Sequence, residues 1–185
     1  FESWFNDAIN ENLLEPNAFS LSTVGSDMMP SIRTVLLKYF DNEGFVFFTN
    51  YESKKAKQIE QNPKVAALFT WLALERQIKI EANIEKISKA DSLKYFLSRP
   101  KGNQLGAWVS RQSETISSRA LLEQKFDEMK RKFLNKEIPI PSFWGGYILK
   151  PIRIEFWQGG EDRLHDRFLY ELKENGDWTI SRLAP

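Results

Sequence analysis

The sequence predicts a mainly β fold, an antiparallel barrel with helices packed outside it, and three observations carry that expectation. Seven or so short strand-like segments are separated by turn signals such as DNEG at 41–44 and Asn175–Gly176. The longer helical patterns cluster between about 89 and 134 instead of alternating with strands. The βαβ repeat of a dinucleotide fold is missing, and so are GxGxxG and the phosphate-loop signature. With 185 residues and no linker-like stretch, the chain reads as one domain, 1–185, long enough to bury a sizeable core.

Each element has its own pattern. Trp4, Phe5, Ala8, Ile9 and Leu13 recur at helical spacing and predict an amphipathic helix over 3–14, stopped near Pro16. AFSLSTV (18–24), SIRTVLLKYF (31–40) and GFVFFTN (44–50) read as strands, the last two an antiparallel pair joined at DNEG. VAALFTWLAL (65–74) is apolar on both faces and suits a central strand. In RQIKIEANIEK (76–86), Ile78, Ile80, Ala82 and Ile84 share one face, and Gln77 lies on the other. Helices are predicted over 89–98, 103–109 and 118–134, the first opened by Ser88 with Asp91 and stopped at Arg99 by Pro100. YILKPIRIEFW, DRFLYEL and DWTISRL return the chain to strands.

Composition excludes several chemistries. No cysteine means no disulfide, thiolate catalysis or iron–sulfur ligation, and a single histidine leaves no ordinary ligand set for zinc or copper. Any demanding chemistry must then come from a cofactor. The 26 Lys and Arg nearly balance the 25 Asp and Glu, which argues against a dedicated nucleic-acid binder. The longest apolar run falls far short of the roughly 18 residues of a membrane span, and no signal peptide is visible. The cytoplasm is the default expectation, and a chain starting at Phe1 reads as lacking its natural beginning.

The most informative stretch is EFWQGGEDRLHDRFLY (155–170), where the one histidine, His165, stands between Arg163 and Arg167 at two-residue spacing. In an extended strand these three would share a face with Trp157, past a bend at Gly159–Gly160, and would suit a flat anionic ligand. The ordinary reading is an edge strand with solvated arginines. In NYESKKAKQIEQNP, Ser53 is a natural N-cap that puts Lys54 and Lys55 in the first helical turn. Cations there oppose the helix dipole, a conflict that a bound phosphate would remove and that solvated lysines would simply tolerate.

Three further groups join the inventory. Arg33 and Lys38 differ in parity, so an unbroken strand sends them to opposite faces, unless a bulge or the strand end turns one around. Tyr95 and Arg99 lie four apart on one helical face, either to grip a phosphate monoester or as a phenol under an arginine stem. Gln112 and Ser113 fall in a loop before a helix starting near Ser117 or Ser118, where an amide and a hydroxyl suit a cofactor's polar edge or ordinary capping. No carboxylate pair or Ser–His–Asp arrangement stands at informative spacing, so hydrolysis has little support.

Together these segments resemble the pyridoxamine 5′-phosphate oxidase family of flavin enzymes. The matching stretches are RTVLLK (33–38), FFTNYESKKAKQIEQNP (47–63), LERQIKIEANIEK (74–86), YFLSRP (95–100), GAWVSRQS (106–113), FWGGY (143–147), EFWQGGEDRLHDRF (155–168) and RLAP (182–185). They cover almost the whole chain in order.

The resemblance implies an FMN-binding split barrel of Greek-key type, forming a homodimer whose two sites straddle the interface. It places Arg33 and Lys55 on the FMN phosphate, with Thr49 and Lys54 nearby, and Thr34, Val35, Leu36, Leu37, Lys38 and Phe48 along the same cofactor site. Gln77 would meet the isoalloxazine edge, and Gln112, Ser113, Trp157 and Arg167 would complete the site, some from the second subunit. Lys38, Tyr95, Arg99 and Asn103 would hold the substrate phosphate, and Arg163 and His165 would flank the pyridine ring as the catalytic pair.

The implied reaction is oxidation of pyridoxamine or pyridoxine 5′-phosphate to pyridoxal 5′-phosphate, the last step of vitamin B6 cofactor synthesis and salvage. Hydride would pass from C4′ to the flavin N5, and dioxygen would become hydrogen peroxide.

The chain departs from the family pattern at Asn103, where serine is usual, at Phe48, where tyrosine is common, and at Lys54, where arginine is frequent. A family lid segment would precede Phe1. Two rival readings remain: a flavin or pyridoxal phosphate binder without catalysis, and a nucleic-acid module using Lys54, Lys55, Lys130, Arg131 and Lys132.

Overall fold

Period-two alternation builds the sheet. In the computed structural model, which describes residues 1–110 and 112–185, nine antiparallel strands run as β1 (Ala18–Val24), β2 (Pro30–Leu36), β3 (Tyr39–Phe40), β4 (Phe45–Asn50), β5 (Lys64–Trp71), β6 (Arg76–Lys86), β7 (Trp144–Gln158), β8 (Asp166–Leu172) and β9 (Trp178–Arg182). Their order is β2-β1-β5-β6-β7-β4-β3, with β8 paired to β7 and β9 to β8. Ile78, Ile80, Ala82 and Ile84 of β6 face the core, joined by Phe19, Leu21, Phe47, Phe69 and Leu149. Fully burying such a side chain stabilises the fold by roughly 1.5–3 kcal/mol.

β7 is the hinge of the architecture. It pairs with β6 along its length, with β4 through Trp144–Leu149, and with β8 through Arg153–Gln158. The partner changes where the β6 register shifts, Ala82 facing Pro151 and Glu81 facing Arg153. A proline lacks the N–H that a regular ladder needs, so an irregular step is where a central strand tolerates it. At the start of β7 a Cβ on Gly145 would lie 2.3 Å from the Tyr51 hydroxyl, which donates to Gly146 O at 3.0 Å. The glycine pair of FWGGY lets that ring cross the strand.

Five helices flank the sheet among the described residues: α1 (Glu2–Asn10), α2 (Lys54–Gln61), α3 (Lys89–Ser98), α4 (Lys101–Val109) and α5 (Arg119–Lys132). Ser53, Ser88 and Ser118 each cap a helix by accepting from the backbone N–H three residues on, as their positions predicted for α2 and α3. α3, α4 and the segment before β7 enclose a second apolar cluster of Phe96, Leu105, Ile138 and Trp144. α1 ends earlier than the predicted 3–14, because Asn12 and Glu15 take positive φ and curl the chain before Pro16.

Three strand expectations are corrected. The segment 31–40 is not one strand: it breaks at Leu37–Lys38, where Leu37 N donates to Asn17 O and Lys38 N to Val46 O, both at 2.8 Å. The chain thereby leaves β1 and joins β4. The 65–74 run is not buried on both faces: Val65, Ala67, Phe69 and Trp71 are buried, but Ala66 and Thr70 are exposed, and Leu72–Leu74 leave the strand as a 3-10 turn. Finally, Arg163, His165 and Arg167 do not share an extended strand. Glu161–Arg163 form a 3-10 turn with Asp162 and Arg163 at φ 52° and 65°, and β8 begins only at Asp166. Two successive left-handed residues reverse the backbone, which destroys the alternation on which the shared face depended.

Candidate functional site

A cleft of about 1000 Å³ opens between the strand layer and the α3–α4 helices. Its lining includes Arg33, Thr34, Val35, Leu36 and Lys38 from the β2–β3 segment, Phe48 and Thr49 from β4, Lys54 and Lys55 from α2, Tyr95, Arg99 and Asn103 from α3–α4, and Gln112 and Ser113 from the following loop. The break at Leu37 resolves the parity problem of Arg33 and Lys38. Because the chain turns from β1 to β4 between them, both reach the same cleft. Leu37 itself turns into the core, 4% exposed, and lines none of it.

Lys55 is 7% exposed, and its Nζ donates to Gln112 Oε1 at 2.7 Å, Thr49 Oγ1 at 3.1 Å and Ser53 Oγ at 3.3 Å. All three partners are neutral. Burial, and then the nearby Arg33, lower its pKa from the ordinary 10.5 to about 8. The Lys54 N–H donates to Ser113 Oγ at 3.2 Å, with Ser113 held at φ 76°. Arg33 donates to Leu21 O at 3.0 Å, to Thr23 Oγ1 at 2.7 Å and to Ser31 Oγ.

At the other end, aromatic planes set the walls. Phe48 and Tyr95 stack at 3.9 Å between centroids, Phe48 and Trp144 at 5.3 Å, and the Arg99 guanidinium lies 4.7 Å over the Trp144 ring. Arg99 follows α3 as its C-cap, with extended ψ of 148°, so it leaves the helix one residue earlier than its predicted last-turn place. Its Nη1 is buried without a hydrogen-bond partner. An orphaned guanidinium donor is expensive, so the site is shaped for an acceptor.

Among the described residues, Arg33, Lys38, Lys54, Lys55 and Arg99 make no ion pair with a carboxylate, although ten other such pairs occur in the chain. Burial lowers the pKa of Arg33, Lys38 and Arg99 as well, and Arg99 adds to the effect on Lys38. Five cations on one concave surface, none paired with a carboxylate among the described residues, are donors of the kind that phosphate monoesters accept from, and this donor set fits the phosphate of FMN.

Gln77, Trp157, Arg163, His165 and Arg167 do not line this cleft in the single chain. Gln77, Trp157 and Arg167 form one cross-strand row over β6, β7 and β8. The Trp157 and His165 rings are 4.7 Å apart, and Gly160 N donates to His165 Nδ1 at 3.2 Å. A Cβ on Gly160 would lie 2.4 Å from Leu164 O, so only glycine lets the turn fold back this tightly. Arg167 differs from the cleft cations: its Nε and Nη2 engage Glu155 Oε1 at 2.8 and 2.7 Å, and Lys79 takes Oε2 at 3.0 Å. Burial opposes ionisation of Glu155, but Lys79 and Arg167 together hold its pKa below the usual value.

Sequence reasoning missed Trp144, Ser31, Ser98 and Pro100 in the cleft lining. Nothing in the spacing of Trp144, within FWGGY, announces its contact with Arg99. Arg111, within GAWVSRQS, lies outside the described residues.

A family profile described as pyridoxamine 5′-phosphate oxidase matches residues 5–133, and a second, the pyridoxine 5′-phosphate oxidase C-terminal dimerisation region, matches 144–185. The chain belongs to the pyridoxamine 5′-phosphate oxidase family. The family is one of oxidoreductases. The pyridoxine/pyridoxamine 5′-phosphate oxidase of Aliarcobacter butzleri (strain RM4018) is 76% identical over all 185 residues, which span 87% of its length. The protein of the same description from Rippkaea orientalis (strain PCC 8801 / RF-1) is 63% identical over the same share.

Among solved structures, PhzG from Burkholderia lata 383, in complex with tetrahydrophenazine-1-carboxylic acid, superposes with a TM-score of 0.94 at 28% identity, covering 100% of this chain and 90% of that one. A pyridoxamine 5′-phosphate oxidase-related, FMN binding protein from Nostoc punctiforme PCC 73102 has a TM-score of 0.79 at 17% identity, covering 99% of this chain and 96% of that one, and shares the fold. The architecture is that of the split barrel these family members share.

Proposed function

We propose that the protein binds FMN and oxidises pyridoxamine 5′-phosphate or pyridoxine 5′-phosphate to pyridoxal 5′-phosphate. The observation that carries this reading is a cleft lined by five cations that have no carboxylate partner among the described residues. The identity of 76% to a pyridoxine/pyridoxamine 5′-phosphate oxidase supports this substrate class over that of the more distant PhzG. FMN held there would supply the hydride acceptor, its N5, for the substrate's C4′ hydrogen, with dioxygen taking the electrons on to hydrogen peroxide.

The cleft divides the work. Arg33 and Lys55, with Lys54, Thr49, Gln112 and Ser113, would hold the FMN phosphate. Lys38, Tyr95, Arg99 and Asn103 would hold the substrate phosphate, the orphaned Nη1 of Arg99 gaining its acceptor. Phe48 stacks where a tyrosine would add a hydroxyl contact, and Asn103 offers an amide donor where serine is usual.

Gln77, Trp157, Arg163, His165 and Arg167 would complete the site from a second copy of the chain. Two observations support that assignment: they miss the cleft of their own chain, and all but Gln77 fall in the stretch matched by the dimerisation-region profile. In the neutral imidazole, Nδ1 accepting from Gly160 N leaves Nε2 carrying the proton, so His165 would present a donor to the substrate's polar substituents. Arg163 would orient the ring. Placement of this kind lowers barriers by roughly 7–11 kcal/mol when the reacting atoms are held in near-attack geometry.

The test is an anaerobic absorption spectrum of the purified protein with FMN. Pyridoxamine 5′-phosphate should bleach the flavin bands, and admitting air should restore them with peroxide release. Flavin bands that the substrate leaves unchanged would reduce the protein to a binder, and a protein that takes up no FMN would overturn the reading.

A further inference from the structure

Arg33 is held in an unusual way for a half-buried guanidinium. Its partners are Leu21 O, Thr23 Oγ1 and Ser31 Oγ, with no carboxylate among the described residues. A guanidinium has only donors, so both hydroxyls must accept from Arg33 and send their own protons elsewhere. Both send them to one atom: Gln58 Oε1 lies 2.7 Å from Thr23 Oγ1 and 2.7 Å from Ser31 Oγ. The orientation of the Gln58 amide follows, because its NH₂ group could accept neither proton. Gln58 is 6% exposed and Thr23 1%, and neither lines the cleft.

The helix that carries Gln58 also carries Lys55, three residues earlier on a neighbouring ridge. Gln61, three residues later, accepts from Ser26 N at 2.9 Å, so α2 holds the strands β1 and β2 through Gln58 and the turn between them through Gln61. A glutamate at 58 would accept the same two hydroxyl protons and fix the same geometry. It would also place a negative charge one hydroxyl away from Arg33 and offset the cation.

We propose that Gln58 is a positioning residue for Arg33, a neutral acceptor that aims the guanidinium through Thr23 and Ser31 while leaving its charge available to a phosphate monoester. The inference rests on the reading that Arg33 meets the FMN phosphate, and it assigns to α2 a second role besides presenting Lys55.

The test measures the FMN dissociation constant of apo-protein by quenching of flavin fluorescence, with the melting temperature of each apo variant alongside. Gln58→Glu keeps both acceptor bonds, so its melting temperature should match or exceed wild type while the dissociation constant rises about tenfold or more through lost charge-assisted binding. Gln58→Met removes the acceptor at similar volume. It should weaken FMN severalfold in the wild-type background and change it by less than about twofold in the Arg33→Met background, the mark of an effect passing through Arg33. The inference is overturned if Gln58→Glu binds FMN as wild type does, or if Gln58→Met loses the same factor with and without Arg33. If Arg33→Met alone leaves FMN binding intact, the phosphate reading itself has failed, and this result is distinct from the other two.

Discussion

Lys55 offers a prediction that depends on charge and not only on contact. In the free protein its pKa is about 8, because burial and then Arg33 disfavour the ammonium. A phosphate dianion beside Nζ favours the charged form and should carry the pKa back toward its ordinary 10.5. The complex then binds more protons than the free protein between those two values. At pH 9 the free lysine is protonated about one-tenth of the time and the bound one almost always, so FMN binding should take up about 0.9 of a proton.

The sign for affinity follows directly. Lys55 should add no pH dependence well below pH 8, and binding should weaken as pH rises through the window up to 10.5, approaching tenfold per pH unit. Isothermal titration calorimetry at pH 9, in two buffers of different ionisation enthalpy, counts the protons. Riboflavin, which lacks the phosphate, is the control and should take up none, and Lys55→Met should abolish the uptake with FMN. No proton uptake with wild-type protein and FMN, or equal uptake with riboflavin, would refute the placement of Lys55 on the phosphate.

Other substitutions separate the parts of the site. Arg99→Ala removes the orphaned donor and its charge, so the Michaelis constant for the phosphorylated substrate should rise by about thirtyfold or more with FMN affinity unchanged, as steady-state kinetics would show. Arg163→Leu should lower turnover well beyond any change in FMN content; wild-type rates would remove Arg163 from the reaction. Glu155→Ala leaves Lys79 and Arg167 facing each other without their carboxylate, and should destabilise the protein by roughly 1–3 kcal/mol in urea unfolding. Because the folded pKa of Glu155 is lowered, its contribution is complete above the ordinary carboxylate range and is lost as pH falls, so the gap between wild type and variant should close on acidification.

The barrel was legible because β6 alternates cleanly and because DNEG and Asn175–Gly176 mark their turns. It was less legible where backbone geometry overrides pattern. Nothing in RTVLLK shows that the chain changes partner strands at Leu37, yet that break is what brings Lys38 to the cleft beside Arg33. Likewise the two-residue spacing of Arg163, His165 and Arg167 suggests a shared face, but Asp162 and Arg163 adopt left-handed backbone, a conformation that aspartate tolerates and arginine does not announce. The Ser53 cap makes the helix start at Lys54 legible, whereas the dipole conflict of the lysine pair leaves a phosphate and plain solvation equally open until the fold puts both lysines in the cleft. Gln58 was within reach of the same reasoning, three residues from Lys55 on the same helix. Its value lies in hydroxyls from β1 and β2 that only the folded chain brings to it.

Cations without carboxylate partners among the described residues leave their charge for phosphate to claim, and the affinity ratio of FMN to riboflavin measures this most directly. Two or three charge-assisted hydrogen bonds of roughly 1.5–3 kcal/mol each predict FMN at least about a hundredfold tighter, with the advantage collapsing in the Arg33→Met, Lys55→Met double variant. Equal affinity for the two flavins in the wild-type protein would contradict it.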